Sequence, residues 1–348
     1  MHNVPYLTHM AGTGLHVIIE LTLLRSTLPV HTACAYPEHV RRICETRPST
    51  FFTLKLKMTQ DLKALVHFPK EYFEGLQAIC RHGYEDYLGQ REKDVKDAFE
   101  SFVFCGETDS TLRVLAVGAS DGILDIPIID TLDSKYRSVL YTVVEPVESQ
   151  VHEFSALVKS KRERGLWMST NFDFQLTTIE EFLSKTKTRK ELGGFDIIHL
   201  QHSAYHLPES VIVELYGQLN KGGMLFTMLV VGAWENNYLR ISNIIPDSML
   251  LKFAGSSTLR DTLYRRIPDV KIQTKYRKMR FKADECFKEE SKDGNLIVNF
   301  LVQLHDFRKT APPEVVNNYM KYLRECCEEL NGELYIPADD EDIVVIKQ

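Results

Sequence analysis

The segment Leu112-Arg-Val-Leu-Ala-Val-Gly118-Ala-Ser-Asp-Gly122 decides the fold class. It begins with a short apolar run, which is typical of a strand buried on both faces of a parallel sheet. The run ends at Gly118, and a glycine directly after a buried strand allows a sharp turn and a close approach of a ligand to the backbone. The helix that follows presents unpaired N–H groups toward an anion or polar group. The spacing is GxxxG, so the GxGxxG dinucleotide fingerprint is incomplete.

Three further apolar runs of the same kind follow, separated by polar stretches with helical periodicity. Strands that alternate with helices predict an α/β fold with a doubly wound, mostly parallel sheet. The predicted strands are residues 139–145, 195–201 and 223–231, and the predicted helices between them include residues 149–164 and 209–219.

The regions on either side of this core have different patterns. Residues 62–104 carry one apolar helical stripe, which Gly83 and Gly89 weaken, so two helices are expected. After the core we predict helix and loop over 232–267, strands over 270–281, 296–304 and 342–347, and a helix over 312–331 that stops at Gly332.

The domain organisation follows from these patterns. Residues 1–57 show no persistent period and are predicted to be a weakly ordered extension. Residues 58–348 are predicted to form one domain, with N-terminal helices in 58–110, a ligand-binding core in 111–231, and a substrate region with the last strands in 232–348.

The composition excludes several classes of protein. With 44% hydrophobic residues, 26% charged residues and a net charge of −6, the chain is neither disordered, collagenous nor a coiled coil. Its acidity gives no general attraction to nucleic acid or anionic membranes, and the basic runs at 159–164 and 277–280 are short. No apolar run reaches the ~20 residues of a membrane span. Seven cysteines without a CxxC pair predict reduced thiols and a cytoplasmic location.

An acidic residue ends the second predicted strand. Glu145 lies 27 residues after Gly118, at the place where a Rossmann-like sheet holds a carboxylate on ribose hydroxyls. The alternative interpretation is that Glu145 is an ordinary solvent-exposed residue at the end of a strand and binds no ligand. Pro146 forces an extended exit from the strand, which favours a shaped ligand-binding loop.

The strand 195–201 is expected beside the first strand, at the switch point where open α/β sheets bind ligands. His199, His202 and His206 suggest a metal site, but an HExxH motif would need glutamate where Ser203 stands. We therefore predict no metal, and expect histidine and Tyr205 to line the mouth of the site.

These segments resemble the histamine N-methyltransferase family, a family of class I S-adenosylmethionine-dependent methyltransferases. The resemblance runs from about residue 65 to residue 348. LRVLAVGASDGILDI, VVEPVESQ and FDIIHLQHSAYHL resemble the first, acidic and fourth-strand motifs, which many methyltransferases share. NFLVQLHDFRKTAPPEV and DIVVIKQ resemble the C-terminal region, which is more specific to this family.

The resemblance implies a seven-stranded Rossmann-like sheet and S-adenosyl-L-methionine as cofactor. It assigns Glu145 to the ribose diol and Thr178 to the adenine end, and it makes Gln150 a polar group of the first helical turn near the same pocket. The implied cofactor-binding residues are Gly118, Glu145, Gln150, Thr178 and Gln201.

The resemblance also implies an amine-binding pocket in a monomeric protein. The catalytic acid that hydrogen-bonds the amine falls on Glu85, and two amide positions of the family are occupied by His202 and Asp339. Aromatic wall positions fall on Tyr72, Tyr205 and Tyr238, and other pocket positions on Leu76, Ile79, Ile245 and Phe253.

Three kinds of function stay open. The first is methylation of a ring nitrogen of histamine, or of a related small imidazole or aryl amine. The second, suggested by the changed residues at 202 and 339, is another amine acceptor or cofactor binding without turnover. The third is nucleic-acid or protein methylation, but the adenine and cytosine enzymes need an Asn/Asp-Pro-Pro-aromatic loop where residues 201–205 read Gln-His-Ser-Ala-Tyr. A dehydrogenase is disfavoured because the third fingerprint glycine is missing.

Overall fold

The computed structural model describes residues 62–83, 85–104, 110–188, 194–241 and 252–348. The predicted extension at 1–57 and the pocket position Ile245 lie outside the described residues.

A seven-stranded sheet, in the order β3-β2-β1-β4-β5-β10-β6, forms the centre of the described fold. β10 is antiparallel to both of its neighbours, and the other pairs are parallel. β1 lies between β2 and β4, so the strand order reverses there, as the sequence predicts. The strands are β1 (Leu112–Val117), β2 (Val139–Val144), β3 (Thr170–Gln175), β4 (Phe195–Gln201), β5 (Leu219–Val230), β6 (Ile272–Arg277) and β10 (Asp340–Ile346). The doubly wound class I methyltransferase fold is confirmed.

Helices cover the sheet because the strands are apolar on both faces. On one face, alternate residues of β1, β2 and β5 pack with Phe99, Ile128 and Phe154, which belong to three of the helices. Helices 209–218 and 256–266 contact β5. The helices are α1 (Pro69–Arg81), α2 (Glu85–Ser101), α3 (Ile126–Lys135), α4 (Glu148–Glu163), α5 (Ile179–Thr188), α6 (Glu209–Gln218), α7 (Ala233–Ile241), α8 (Ser256–Arg266), α9 (Lys292–Val302), α10 (Phe307–Thr310) and α11 (Pro313–Cys326). None of the described helices is both long and apolar enough to span a bilayer.

The N-terminal helical region is divided as the glycines predict. α1 ends at Arg81, and Gly83 has a φ of 130°, a conformation that side-chain-bearing residues rarely adopt. Gly89, by contrast, lies inside α2. α2 packs on α3 and places Val95 and Phe99 in the main core.

A buried ionic cluster fastens α2 to the antiparallel edge of the sheet. Arg277 of β6 forms a two-bond pair with Asp342, with both distances 2.6 Å, and its Nε donates to Asp340 at 2.8 Å. Asp94 of α2 lies 3.4 Å from the same guanidinium. All four side chains are almost completely buried. The cluster therefore fixes where α2 runs relative to the sheet.

The C-terminal region departs from the sequence prediction. The expected strand at 296–304 is wrong, because these residues lie largely in α9, whose apolar side chains are buried all round. The expected strand at 270–281 is two strands in different sheets, β6 and β7 (Arg280–Lys282). The helix expected at 312–331 ends at Cys326, and the chain continues into β8 (Glu328–Leu330). With β9 (Glu333–Pro337), β7 and β8 form a small antiparallel sheet in the order β7-β9-β8.

Candidate active site

The turn after β1 forms the centre of the candidate site. Gly118 has a φ of 64°, and a Cβ placed on it would lie 2.7 Å from Cβ of Ser203, which follows β4. Its N–H donates to the carbonyl of Val144 at 2.9 Å. Both the backbone conformation and the close contact therefore require glycine, and the carboxyl ends of β1, β2 and β4 meet around it.

Glu145 directly follows β2, and its carboxylate is held by the backbone. Oε2 accepts from the N–H of Ser120 at 3.1 Å, and Oε1 accepts from the N–H of Val147 at 3.0 Å. The residue is 6% exposed. Burial raises the pKa of this carboxyl, and the two backbone donors partly oppose the shift. The result is a fixed acceptor pair beside the Gly118 turn, because each oxygen can accept a further hydrogen bond.

Gln150 and Thr178, which are also expected to contact the cofactor, differ in burial. Gln150 of α4 is buried, and its Oε1 accepts from the hydroxyl of Ser120 at 2.6 Å, so it joins the Gly118 and Glu145 group. Thr178 is exposed at the start of α5, where its hydroxyl accepts from the N–H of Glu181 at 3.3 Å. Its described role is therefore a helix cap.

Gln201 ends β4 and connects the sheet to two other elements. Its Nε2 donates to the carbonyl of Leu124 at 3.1 Å and to Oδ2 of Asp125 at 3.3 Å, in the short helical turn after the Gly118 loop. Its Oε1 accepts from Nη2 of Arg91 on α2. The side chain thus lies against the same turn that Glu145 supports.

A buried polar group underlies this part of the site. The hydroxyl of Tyr141 donates to Oδ1 of Asp125 at 2.7 Å and lies 2.7 Å from Nε2 of His199. Burial raises the pKa of Asp125 to about 7, against which the Tyr141 hydrogen bond and the charge of Arg91 act. Burial, and then Arg91, lowers the pKa of His199 to about 3, so this ring is neutral at pH 7.

Asp125 makes a pH-dependent contribution to stability that can be measured. Because its pKa is raised in the folded state, the protonated carboxyl favours folding, and this contribution declines as the pH rises from 3.8 through about 7. Asparagine at this position imitates the protonated form. We therefore expect Asp125→Asn to gain about 2 kcal/mol of unfolding free energy relative to the wild type between pH 5 and pH 8. Urea denaturation at both pH values measures the difference, and a difference that does not change with pH would contradict the prediction.

An aromatic group lies beyond the end of β4. The hydroxyl of Tyr205 accepts from the N–H of Val230 at 2.8 Å and lies 3.3 Å from Nδ1 of His202. Tyr205 stacks on His202 and meets Tyr238 edge to face, with ring centroids 6.3 and 6.1 Å apart. Tyr72 of α1 packs on Phe300. The structure thus brings His202, Tyr205 and Tyr238 together.

His202 has an unusual backbone and an uncharged ring. Its φ is 53°, a conformation that is costly for a residue with a side chain and that occurs frequently at functional sites. Burial, followed by the charges of Arg91 and Arg277, lowers its pKa to about 3. Its Nε2 lies 3.9 Å from Oδ2 of Asp340. At neutral pH this ring can accept or donate a hydrogen bond without carrying a charge.

Of the two acidic residues predicted for the substrate pocket, the structure describes the side chain of Asp339 but not that of Glu85. Asp339 already has protein partners, because Oδ1 accepts from the N–H of Met279 at 2.9 Å and Oδ2 accepts from the hydroxyl of Tyr276. Glu85 begins α2, but its side chain lies outside the described residues.

The three histidines that suggested a metal site lie in different environments. His199 packs against Phe99 and Tyr141, His202 packs against Tyr205, and His206 is exposed. Among the residues that the structure describes, no group of three or more His, Cys, Asp or Glu side chains could hold a metal ion.

Three further residues belong to this site and were not predicted from the sequence: Ser120, Asp125 and Arg91. Ser120 lies inside the GxxxG motif, and Asp125 lies three residues after its second glycine. Arg91 had a signal, because it is spaced by four residues from Val95 and by eight from Phe99, which places it on the buried side of α2.

Comparison with known proteins supports the resemblance stated above. Histamine N-methyltransferase of Bos taurus is 24% identical over 276 residues, which cover 77% of this chain and 92% of the bovine protein. The Xenopus tropicalis enzyme is 21% identical over 297 residues, 83% of this chain and 99% of that protein. The chain resembles the histamine N-methyltransferases.

No protein-family model matches the chain. Among solved structures, a protein of Bacillus halodurans described as a methyltransferase has a TM-score of 0.46 and 15% identity, with coverage of 73% of this chain and 99% of that one.

Proposed function

We propose that this protein is an S-adenosylmethionine-dependent methyltransferase whose acceptor is a nitrogen of histamine or of a related small imidazole or aryl amine. The observation that carries the proposal is the fixed Glu145 carboxylate beside the Gly118 turn, at the reversal point of a class I methyltransferase sheet. Similarity to histamine N-methyltransferases over most of the chain supports the acceptor class.

The residues present fit an adenosyl cofactor. Glu145 can accept hydrogen bonds from a ribose diol, because its oxygens already have fixed backbone donors and keep further acceptor capacity. Gly118 supplies the left-handed turn, with a φ of 64°, that brings the ends of β1 and β4 together beside Glu145. Gln150 and Gln201 add buried amides on either side of the turn. We assign Thr178, as the resemblance implies, to the adenine end.

The bound cofactor supplies an electrophilic methyl group on a positively charged sulfur. The chain's own contribution is chiefly orientation, since a neutral imidazole nitrogen is nucleophilic and needs no strong base. Correct alignment of reacting groups supplies ~7–11 kcal/mol of a barrier. Tyr205 and Tyr238 provide flat apolar walls, and His202 provides an uncharged hydrogen-bonding group next to them.

Glu85 is assigned to the ammonium group of the acceptor. It stands at the first position of α2, the helix that the buried Asp94–Arg277 contact holds to the sheet. Tyr72 completes the aromatic wall from α1. Asp339 is assigned a supporting role near His202, with its two oxygens already engaged by Met279 and Tyr276. A monomeric, cytoplasmic enzyme without nucleic-acid or membrane partners stays the expectation.

The direct test is methyl transfer with purified protein. Labelled S-adenosylmethionine is incubated with histamine, imidazole and a panel of biogenic amines, and calorimetry with S-adenosylhomocysteine is run in parallel. We expect tight binding of the adenosyl ligand and transfer to an imidazole nitrogen. Binding without transfer to any amine would favour the alternative of a cofactor-binding protein without turnover. Absence of binding would contradict the whole proposal.

Glu85→Gln is expected to lower kcat/KM for the amine about 10–100-fold, because a charge-assisted hydrogen bond is worth ~1.5–3 kcal/mol. The affinity for S-adenosylhomocysteine should stay within a factor of about 2, since the residue is assigned to the acceptor alone. Glu92→Gln is the matched control, because Glu92 lies on the same helix in an exposed pair with Lys96. An unchanged kcat/KM in Glu85→Gln would remove Glu85 from the mechanism.

A further inference from the structure

Arg91 is a buried cation at the candidate active site. It lies on α2 in phase with the core residues Val95 and Phe99, and it is 3% exposed. Arginine is almost never fully buried without a partner, because an unpaired charge loses its hydration without compensation. A buried guanidinium at this place therefore needs an explanation.

The contacts of Arg91 leave its charge without an adjacent anion. Nη2 donates to the carbonyl of Leu124 at 3.0 Å and to Oε1 of Gln201, and both acceptors are neutral groups. Nε is buried and has no hydrogen-bond partner. No carboxylate oxygen of the described part of the chain lies within ion-pair distance of this guanidinium.

Asp125 does not supply the missing charge. It makes no direct hydrogen bond to Arg91 and acts on it only as a nearby charge, because its Oδ2 accepts from the amide of Gln201 and its Oδ1 accepts from the hydroxyl of Tyr141. Burial raises its pKa to about 7, so it is only partly ionised at neutral pH. The described residues therefore give the Arg91 guanidinium no full negative counter-charge.

We propose that Arg91 binds the carboxylate of the methionine part of the methyl donor, an inference that rests on the proposed function. Its two acceptors, Leu124 and Gln201, belong to the turn after β1 and to the end of β4, which flank Gly118. Glu145 stands at the end of β2, on the other side of β1. The donor carries its ribose and its methionine carboxylate on opposite sides of the sulfur, which matches an acid at one side of the turn and a cation at the other.

The test compares ligands that differ only in this carboxylate. Calorimetry is performed with S-adenosylhomocysteine and with its decarboxylated analogue, 5′-deoxy-5′-(3-aminopropylthio)adenosine. We expect the wild type to prefer S-adenosylhomocysteine by about 30-fold, equivalent to ~2 kcal/mol. In Arg91→Gln this preference should fall to within about 3-fold, with the affinity for the decarboxylated analogue unchanged. Arg91→Lys should keep an intermediate preference, and Lys96→Gln, at a half-buried position whose partner is Glu92 on the same helix, should keep the wild-type value.

Several outcomes would overturn this assignment. Equal binding of the two ligands by the wild type does so without any variant, so the test survives if Arg91→Gln fails to fold. An equal loss for both ligands in Arg91→Gln would show a purely structural role. Either result, with S-adenosylhomocysteine still bound by the wild type, leaves the proposed function standing. Failure of the wild type to bind S-adenosylhomocysteine would instead contradict the proposed function itself.

Discussion

Replacement of Glu145 by alanine is expected to weaken S-adenosylhomocysteine binding by roughly 100–1000-fold. The carboxylate is fixed by the N–H groups of Ser120 and Val147, so it needs no rearrangement to receive two ribose hydroxyls. Two hydrogen bonds to a charged acceptor are worth about 3–4 kcal/mol together, and 1.4 kcal/mol corresponds to a factor of ten. Calorimetric titration of the purified variant measures the effect.

Two variants separate the role of the charge from that of the fold. Glu145→Gln keeps the size of the side chain and one acceptor, so its loss should be about tenfold. Glu148→Ala removes an exposed acid three residues along, in the first turn of α4, and should bind like the wild type. If Glu145→Ala remained folded and bound S-adenosylhomocysteine with the wild-type dissociation constant, the assigned cofactor site would be wrong.

Replacement of Arg277 by methionine is expected to destabilise the protein by about 3–5 kcal/mol. The change leaves the buried carboxylates of Asp340 and Asp342 without the Arg277 cation, whereas Asp94 keeps its 2.6 Å pair with Lys275. Removal of one partner of a buried ion pair costs this much because an uncompensated charge stays in the interior. Urea denaturation at neutral pH is the measurement.

A surface pair provides the matched control for this variant. Lys282 and Glu333 form a 2.7 Å pair whose side chains are 46% and 45% exposed. Lys282→Met should cost less than about 1 kcal/mol, since exposed ion pairs contribute little. Similar losses in both variants would contradict the view that Arg277 neutralises a buried cluster.

The central strands were predictable because a strand that is buried on both faces has a continuous run of apolar residues in the sequence. β1, β2 and β4 are short apolar runs, and each is followed directly by a residue of the candidate site: Gly118, Glu145 and His202. β3 was not predicted. Its sequence, Thr-Asn-Phe-Asp-Phe-Gln, alternates polar and apolar residues, and most of the strand is only half-buried.

The error at 296–304 has a physical cause. A helix buried on all sides shows no amphipathic period, so its apolar run cannot be distinguished from a buried strand by pattern alone. The helix start does carry a signal: Ser291 accepts from the N–H of Gly294 at 3.0 Å, as an N-terminal cap.

The hydrogen-bond partners of the side chains at the candidate site could not be predicted from the sequence, because they depend on tertiary packing. The buried chain from Arg91 through Gln201 to Asp125 joins residues from α2, β4 and the turn after β1. Such links depend on tertiary packing, and no spacing in the sequence records which of these elements become neighbours. Only the position of Arg91 on the buried side of α2 was accessible beforehand.

The place of β10 in the sheet bears on how the molecule acquires its structure. β10 pairs with β5 on one side and with β6 on the other, although β5 lies far earlier in the chain. Until β10 docks, β5 has an unsatisfied, strongly apolar edge that can recruit another chain. Closure of so distant a pairing is intrinsically slow. Assembly of this edge is therefore the stage at which the newly made polypeptide is most vulnerable to aggregation.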